Sequence, residues 1–153
     1  MRRFTFRYTN KVDGKGRVSI PASFRAVLEA EGAGNTVYLT WNRDEGAIEG
    51  FGERYMQDIE NRIDALPINS PQRRAFETRY FANTVSLPID SDGRIILPAE
   101  LRRQAGIDGQ VVFAGLGKRF HVWEPSAYDA FAAAQDEAAA GLALNRPGEG
   151  GGA

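Results

Sequence analysis

Asp13-Gly14-Lys15-Gly16-Arg17-Val18-Ser19-Ile20-Pro21-Ala22 returns later in the chain as Asp90-Ser91-Asp92-Gly93-Arg94-Ile95-Ile96-Leu97-Pro98-Ala99, at a constant offset of 77 residues. The register holds into Phe24-Arg25 against Leu101-Arg102. An Asp, a Gly, an Arg, a Pro, an Ala and a second Arg therefore recur with apolar positions between them. Self-similarity of this kind marks a structural unit used twice. Each copy has only roughly 45 structured residues, too few to bury a sufficient core by itself, so the two copies are expected to share one core.

Outward from the motif, the first copy reads as strand, turn, strand, helix and two further strands. Phe4, Phe6 and Tyr8 alternate with Thr5, Arg7 and Thr9, the period of a strand with one buried face. Gly14 and Gly16 make the turn, and Arg17 to Ile20 resumes the alternation as the second arm of a hairpin-like unit. Pro21 opens a short helix whose apolar face is Phe24, Val27 and Leu28, and Gly32 and Gly34 stop it. Strands follow over Val37 to Trp41 and Ala47 to Phe51. The second copy repeats the order: Val85, Leu87 and Ile89 run into Asp90, Gly93 turns, and Pro98 opens a helix that Gly106 closes. Strands over Val111 to Ala114 and Phe120 to Trp123 complete it.

Between the copies, Tyr55, Ile59, Ile63 and Leu66 fall at helical spacing, and Ser70-Pro71 has the form of an N-cap with a first-turn proline. A helical hairpin is expected there. The fold class is α+β, with a first repeat over 4–52, the hairpin over 53–82, a second repeat over 83–124, a C-terminal helix over 125–142 and a disordered Gly-rich tail over 143–153.

Net charge is −1, but residues 1–25 carry seven cations against Asp13 alone, a local +6 that leaves −7 for the rest. A protein divided in this way attracts a polyanion with one face and repels it elsewhere. Cysteine is absent, which excludes disulfides and thiolate chemistry. The basic start lacks the apolar core of a signal peptide, and no run is long enough to span a bilayer; a cytoplasmic location is expected, with no membrane partner.

No catalytic constellation emerges. His121 stands in a strand pattern, Ser19 has no base or oxyanion signature, the carboxylates lack metal-ligand spacing, and Gly14-Lys15-Gly16 leads into a strand rather than a helix. Neither a cofactor, a metal nor a small-molecule substrate is expected, and the chain does not read as an enzyme.

What remains is a basic turn on a β scaffold. Arg17 offers a planar fork for a phosphate or a guanine edge, and Lys15 a flexible point charge. Asp13 makes an Asx-type bond to following backbone N–H groups or pairs with Arg17. The second copy keeps that pair as Asp90 and Arg94, while Asp92 replaces Lys15 and cancels the charge of the turn. Asp13, Gly16, Pro21, Asp90, Gly93, Arg94 and Pro98 are thus expected to be structural, with nucleic-acid contact concentrated in the first copy. Lys11, Arg7, Arg3 and Arg2 are added as DNA-binding residues on charge alone. Arg73, Arg74 and Arg79 form a further basic cluster, read as a phosphate contact, a solvated face or a subunit contact.

The doubled Asp-x-x-x-Arg motif, each copy followed by hydrophobic-x-hydrophobic-Pro and separated by a helical hairpin, resembles the MraZ family of bacterial transcriptional regulators, tandem relatives of AbrB and MazE-type swapped-hairpin domains. The resemblance covers roughly residues 4 to 140 and implies two interlocked β-α-β copies forming one small barrel. It also implies closed rings that bind direct DNA repeats in the promoter of the division and cell-wall gene cluster, usually as a repressor on the nucleoid. By the motif, Lys15 and Arg17 carry over as DNA contacts. The alternative within the same fold is an antitoxin-like protein-interaction module.

Overall fold

In the computed structural model, which describes residues 2–32, 34–144 and 148, the repeat is visible as a repeat of elements. The first copy supplies β1 (Arg7–Lys11), β2 (Arg17–Ser19), α1 (Ala22–Ala30), β3 (Thr36–Asn42) and β4 (Ala47–Phe51). Then come α2 (Glu53–Asp64) and α3 (Pro71–Phe76), the latter running on as a π-helical turn, Glu77–Phe81. The second copy supplies β5 (Thr84–Pro88), β6 (Arg94–Ile96), α4 (Ala99–Ala105), β7 (Gln110–Gly115) and β8 (Phe120–Trp123), followed by α5 (Pro125–Ala140). The architecture is α+β with antiparallel pairing throughout. No described helix is long and apolar enough to cross a membrane.

Strand order is β1-β7-β8-β4-β3-β5, with β2 and β6 as a separate two-stranded ribbon. Exchanging the copies reverses that list and leaves it unchanged, which is the mark of a pseudo-two-fold. The first strand of each copy pairs with the third strand of the other, Tyr8 opposite Phe113 and Leu87 opposite Val37. The core is common to both: Phe4 and Phe24 of the first copy meet Phe120 of the second, with ring centroids 4.9 to 5.2 Å apart. Edge-to-face aromatic contacts of this kind add to the burial of apolar area. A second, smaller cluster of Ala47, Val112 and Trp123 lies on the other sheet face under Ala127, Tyr128 and Phe131 of α5.

Several expectations are modified. The arms of the hairpin-like unit barely pair with each other, through the single bridge Val12 to Val18, because β1 is taken by β7 and β2 by β6. The ladders do not close into a barrel; the six-stranded sheet ends at β1 and β5. Phe6 breaks the alternation, standing 66% exposed with φ +67°. The strand keeps its register through this point, Phe4 against Gly117 and Arg7 against Ala114, and the Phe4–Thr5 backbone runs so close to Gly115 that an added Cβ there would lie 2.5 Å away. Pro21 and Pro98 occupy the N-cap rather than the first helical turn, and Pro71 occupies that turn with Ser70 capping. The tail expected over 143–153 lies almost wholly outside the described residues.

Candidate nucleic-acid interface

Asp13 organises the first turn through three bonds. Its Oδ1 accepts from the backbone N–H groups of Lys15 and Arg17, both at 2.9 Å, and its Oδ2 accepts from Arg17 Nε at 2.6 Å. Gly16 closes the turn, donating to the Asp13 carbonyl at 2.9 Å with φ +84°, a conformation that side chains with a Cβ resist. The same frame recurs around Asp90, whose Oδ1 accepts from Asp92 and Arg94 N–H at 2.9 Å and whose Oδ2 accepts from Arg94 Nε at 3.3 Å. Both carboxyls are held below the usual range. The foremost cause is the backbone N–H of Arg17 or Arg94, which stabilises the charged form.

Each turn is fastened to the opposite copy. Leu97 N–H donates to the Gly16 carbonyl at 2.8 Å, and Ile20 N–H donates to the Gly93 carbonyl at 2.9 Å. The guanidinium of Arg102 lies over Gly16, and that of Arg25 lies against Gly93. In the ribbon, Arg17 is directly opposite Ile96 and Ser19 opposite Arg94, with buried Val18 and Ile95 between them facing the core. Directly opposed residues share a face. The outward face is therefore Arg17, Ile96, Ser19 and Arg94, a turn at each end of it.

The two arginines are spent differently. Arg17 uses Nε on Asp13, and among the described residues no hydrogen bond occupies its two Nη groups. Arg94 uses Nε on Asp90 and also commits Nη2 to Asp92 at 3.3 Å. Lys15, exposed at the end of the first turn, is replaced in the second by Asp92. One turn presents an unspent cationic edge; the other is internally neutralised.

The remaining cations of the N-terminal segment do not gather at that edge. Lys11 is exposed at the end of β1, nearest the turn. Arg7, at the other end of β1, lies over the Phe6 ring at 5.3 Å and borders a cleft beside α5. Arg2 and Arg3 border a different cleft of about 570 Å³ with Val27, Arg54 and Lys118. In the interhelical cluster, Arg73 bonds Asp64, Glu77 and the Leu66 carbonyl, and Arg79 pairs with Asp44 at 2.9 Å. Arg74 reaches the Asn69 carbonyl at 3.4 Å. Arg73 and Arg79 thus brace the helical hairpin, internally and against the β3–β4 turn.

A second polar grouping is assembled from residues far apart in sequence. Glu45, Glu49 and His121 bring potential ligand atoms within 4.8 Å of one another, a donor set of the kind a divalent cation takes. Arg119 already supplies positive charge there, 3.0 Å from His121 Nε2 and 3.5 Å from Glu49. Burial above all, with the Arg119 cation beside it, pushes His121 down to about 4. The His121 Nε2 lies between the Arg119 guanidinium and Glu45 Oε2, which is 2.9 Å away. Sequence reasoning missed this grouping because no spacing links a β3–β4 turn to β8.

Comparison with known proteins places this geometry in a lineage. Residues 80–143, covering the second copy and α5, match the family described as "MraZ protein, putative antitoxin-like". Over 132 residues the chain is 42% identical to the transcriptional regulator MraZ of Parvibaculum lavamentivorans, covering 86% of this chain and 82% of that protein. The transcriptional regulator MraZ of Rhodospirillum rubrum is 40% identical over 132 residues, 85% of this chain and 84% of the relative. That of Rickettsia bellii is 42% identical over 127 residues, 82% and 84%. With identity of this order over more than four fifths of its length, the chain belongs to the MraZ family.

Proposed function

We propose that this chain is a sequence-specific DNA-binding transcriptional regulator that grips duplex DNA with the first turn. The observation that carries the reading is the contrast between two turns on one frame, of which only the first leaves a guanidinium edge and an ammonium group unspent. Arg17 gives two-pronged contact to a guanine edge or a phosphate, Lys15 gives a phosphate contact, and Asp13 holds the fork in place. Lys11 adds a contact at the base of the turn; Arg7, Arg3 and Arg2 contribute to the attracting field. The names carried by the relatives support regulation of transcription as the outcome.

The finer reading follows the family resemblance. The exchanged pairings β1–β7 and β5–β3 form a swapped-hairpin unit, and units join head to tail in a closed ring. Such a ring presents its turns in the same sense along the rim, which suits direct repeats, whereas two-fold dimers suit palindromes. The target is the promoter of the division and cell-wall gene cluster, repressed in the cytoplasm at the nucleoid. Selection of bound duplexes from a random pool tests this by reporting sequence, spacing and orientation together. Tandem copies of one short box support the reading; a pool that stays random, or selects inverted boxes, defeats it.

The family description also contains the term antitoxin-like, which favours a second reading as a protein-interaction module. Recovery of one stoichiometric small protein in the absence of DNA would establish it.

A further inference from the structure

The outward face of the β2–β6 ribbon carries one residue that neither turn chemistry nor charge explains. Ile96 is 62% exposed and directly opposite Arg17, while its neighbours on that face, Ser19 and Arg94, are polar or charged. At the equivalent place in the first copy, across from Arg94, stands Ser19, so the two cross-strand pairs of the ribbon's outward face differ. One pairs an arginine with unspent Nη groups with a branched apolar side chain; the other pairs a neutralised arginine with a hydroxyl.

A two-stranded β-ribbon fits the major groove of B-DNA, and the groove offers one apolar feature, the C5-methyl group of thymine. Opposed residues on a ribbon are about 5 Å apart at Cβ, and successive base pairs are about 3.4 Å apart along the axis. When Arg17 reaches a base edge, the Ile96 side chain therefore arrives at the adjacent base pair. An isolated apolar side chain among charged ones is too small for a protein docking patch, which needs contiguous apolar area. It is the right size for one methyl group.

We propose that Ile96 is a specificity-determining residue that reads a thymine methyl one base step from the Arg17 contact, so that a single recognition element is built from both copies. This rests on the DNA-binding reading above and goes beyond it by naming a residue of the second copy and its target atom group.

The test uses the full-length chain and a duplex obtained from the random-pool selection, with each thymine replaced in turn by deoxyuridine, which removes only the methyl group. At one thymine per box, wild type should bind the deoxyuridine duplex about fourfold more weakly, the worth of one buried methyl. Ile96→Ser, which places on β6 the residue β2 carries there, should bind both duplexes equally; Ile96→Leu should keep the discrimination. A wild type indifferent to every methyl overturns the proposal while leaving DNA binding intact. So does an Ile96→Ser variant that still discriminates. If Ile96→Ser changes the assembled mass by light scattering and weakens both duplexes alike, Ile96 is a subunit contact instead. If no duplex is selected at all, the regulator reading falls first and this proposal with it.

Discussion

The turn around Asp13 and the turn around Asp90 hold their carboxylates by the same three bonds, close on a glycine of the same backbone hand, and are fastened to the opposite copy in the same way. Besides Gly14 against Ser91, they differ in one side chain of opposite charge, Lys15 against Asp92, and that difference propagates to the arginine. A frame duplicated for stability has been left chemically open on one side and closed on the other. The lesson is that the Asp-x-x-x-Arg pattern reports a scaffold, and what distinguishes the two copies is the charge the scaffold leaves unpaired.

The largest effect expected from this contrast is on DNA binding. Arg17→Ala should weaken binding to the selected duplex by about 100-fold or more, since the loss of a two-pronged contact compounds over linked sites, while Arg94→Ala should change it by less than about threefold. Titration of both variants at one salt concentration decides the matter, and equal losses would erase the distinction between the turns. Unchanged thermal unfolding of Arg17→Ala would show that the frame survives without its fork.

Stability should treat the turns alike. Gly16→Ala and Gly93→Ala both force a Cβ into left-handed backbone, at φ +84° and +78°, against neighbours from the other copy. Each should cost at least about 1–2 kcal/mol and lower the unfolding midpoint by several degrees. Gly93→Ala meets the movable end of Arg25, whereas Gly16→Ala meets the Leu97 carbonyl, so the latter should not be the milder. One substitution that is silent in calorimetry would mean the frames are not equivalent.

A smaller, constructive change sharpens the contrast further. Asp92→Lys removes the partner of Arg94 Nη2 and restores the ammonium present in the first copy. Non-specific affinity at low salt should rise several-fold, and the slope of log affinity against log salt should steepen by about one to two. No change in slope would show that the second turn is kept from DNA by shape rather than charge.

The smallest effect is on pH. Because Asp13 and Asp90 are both held below the usual carboxylate range, the contribution of each turn is complete above that range and is lost only as pH falls through the lowered value. The Nε–H resonances of Arg17 and Arg94 should therefore persist together into acid and broaden below the ordinary aspartate range. Separate loss of one would mark unequal frames.

How much of this was legible depended on whether the signal was local. The turns could be read because Asp, Gly, Arg and Pro fall within a stretch of nine residues, and Ser70-Pro71 and Gly106 marked helix ends by signals equally local. The exchange of strand partners came only through the family resemblance, since period-two alternation says which face is buried and not which strand lies alongside. Phe6 fitted the alternation and breaks it through a left-handed backbone, beside a close approach to Gly115 more than a hundred residues away that no local pattern signals. Ile96 stands in the apolar run Ile95-Ile96-Leu97, which by itself does not say which side chain faces out; pairing with β2 shows that Ile96 does. The spent and unspent forks of Arg94 and Arg17 were half legible: the acidic substitution was plain, its hydrogen bond to the guanidinium was not.

Arg25 and Arg102 each lie on the glycine of the copy that does not encode them. Neither turn is therefore a portable cassette. Grafting one loop onto another member of the lineage would require carrying along an arginine encoded more than sixty residues from it, and drift in either half constrains what the other can become. The two halves of this gene can diverge in what they touch, but they must inherit their shapes as a pair.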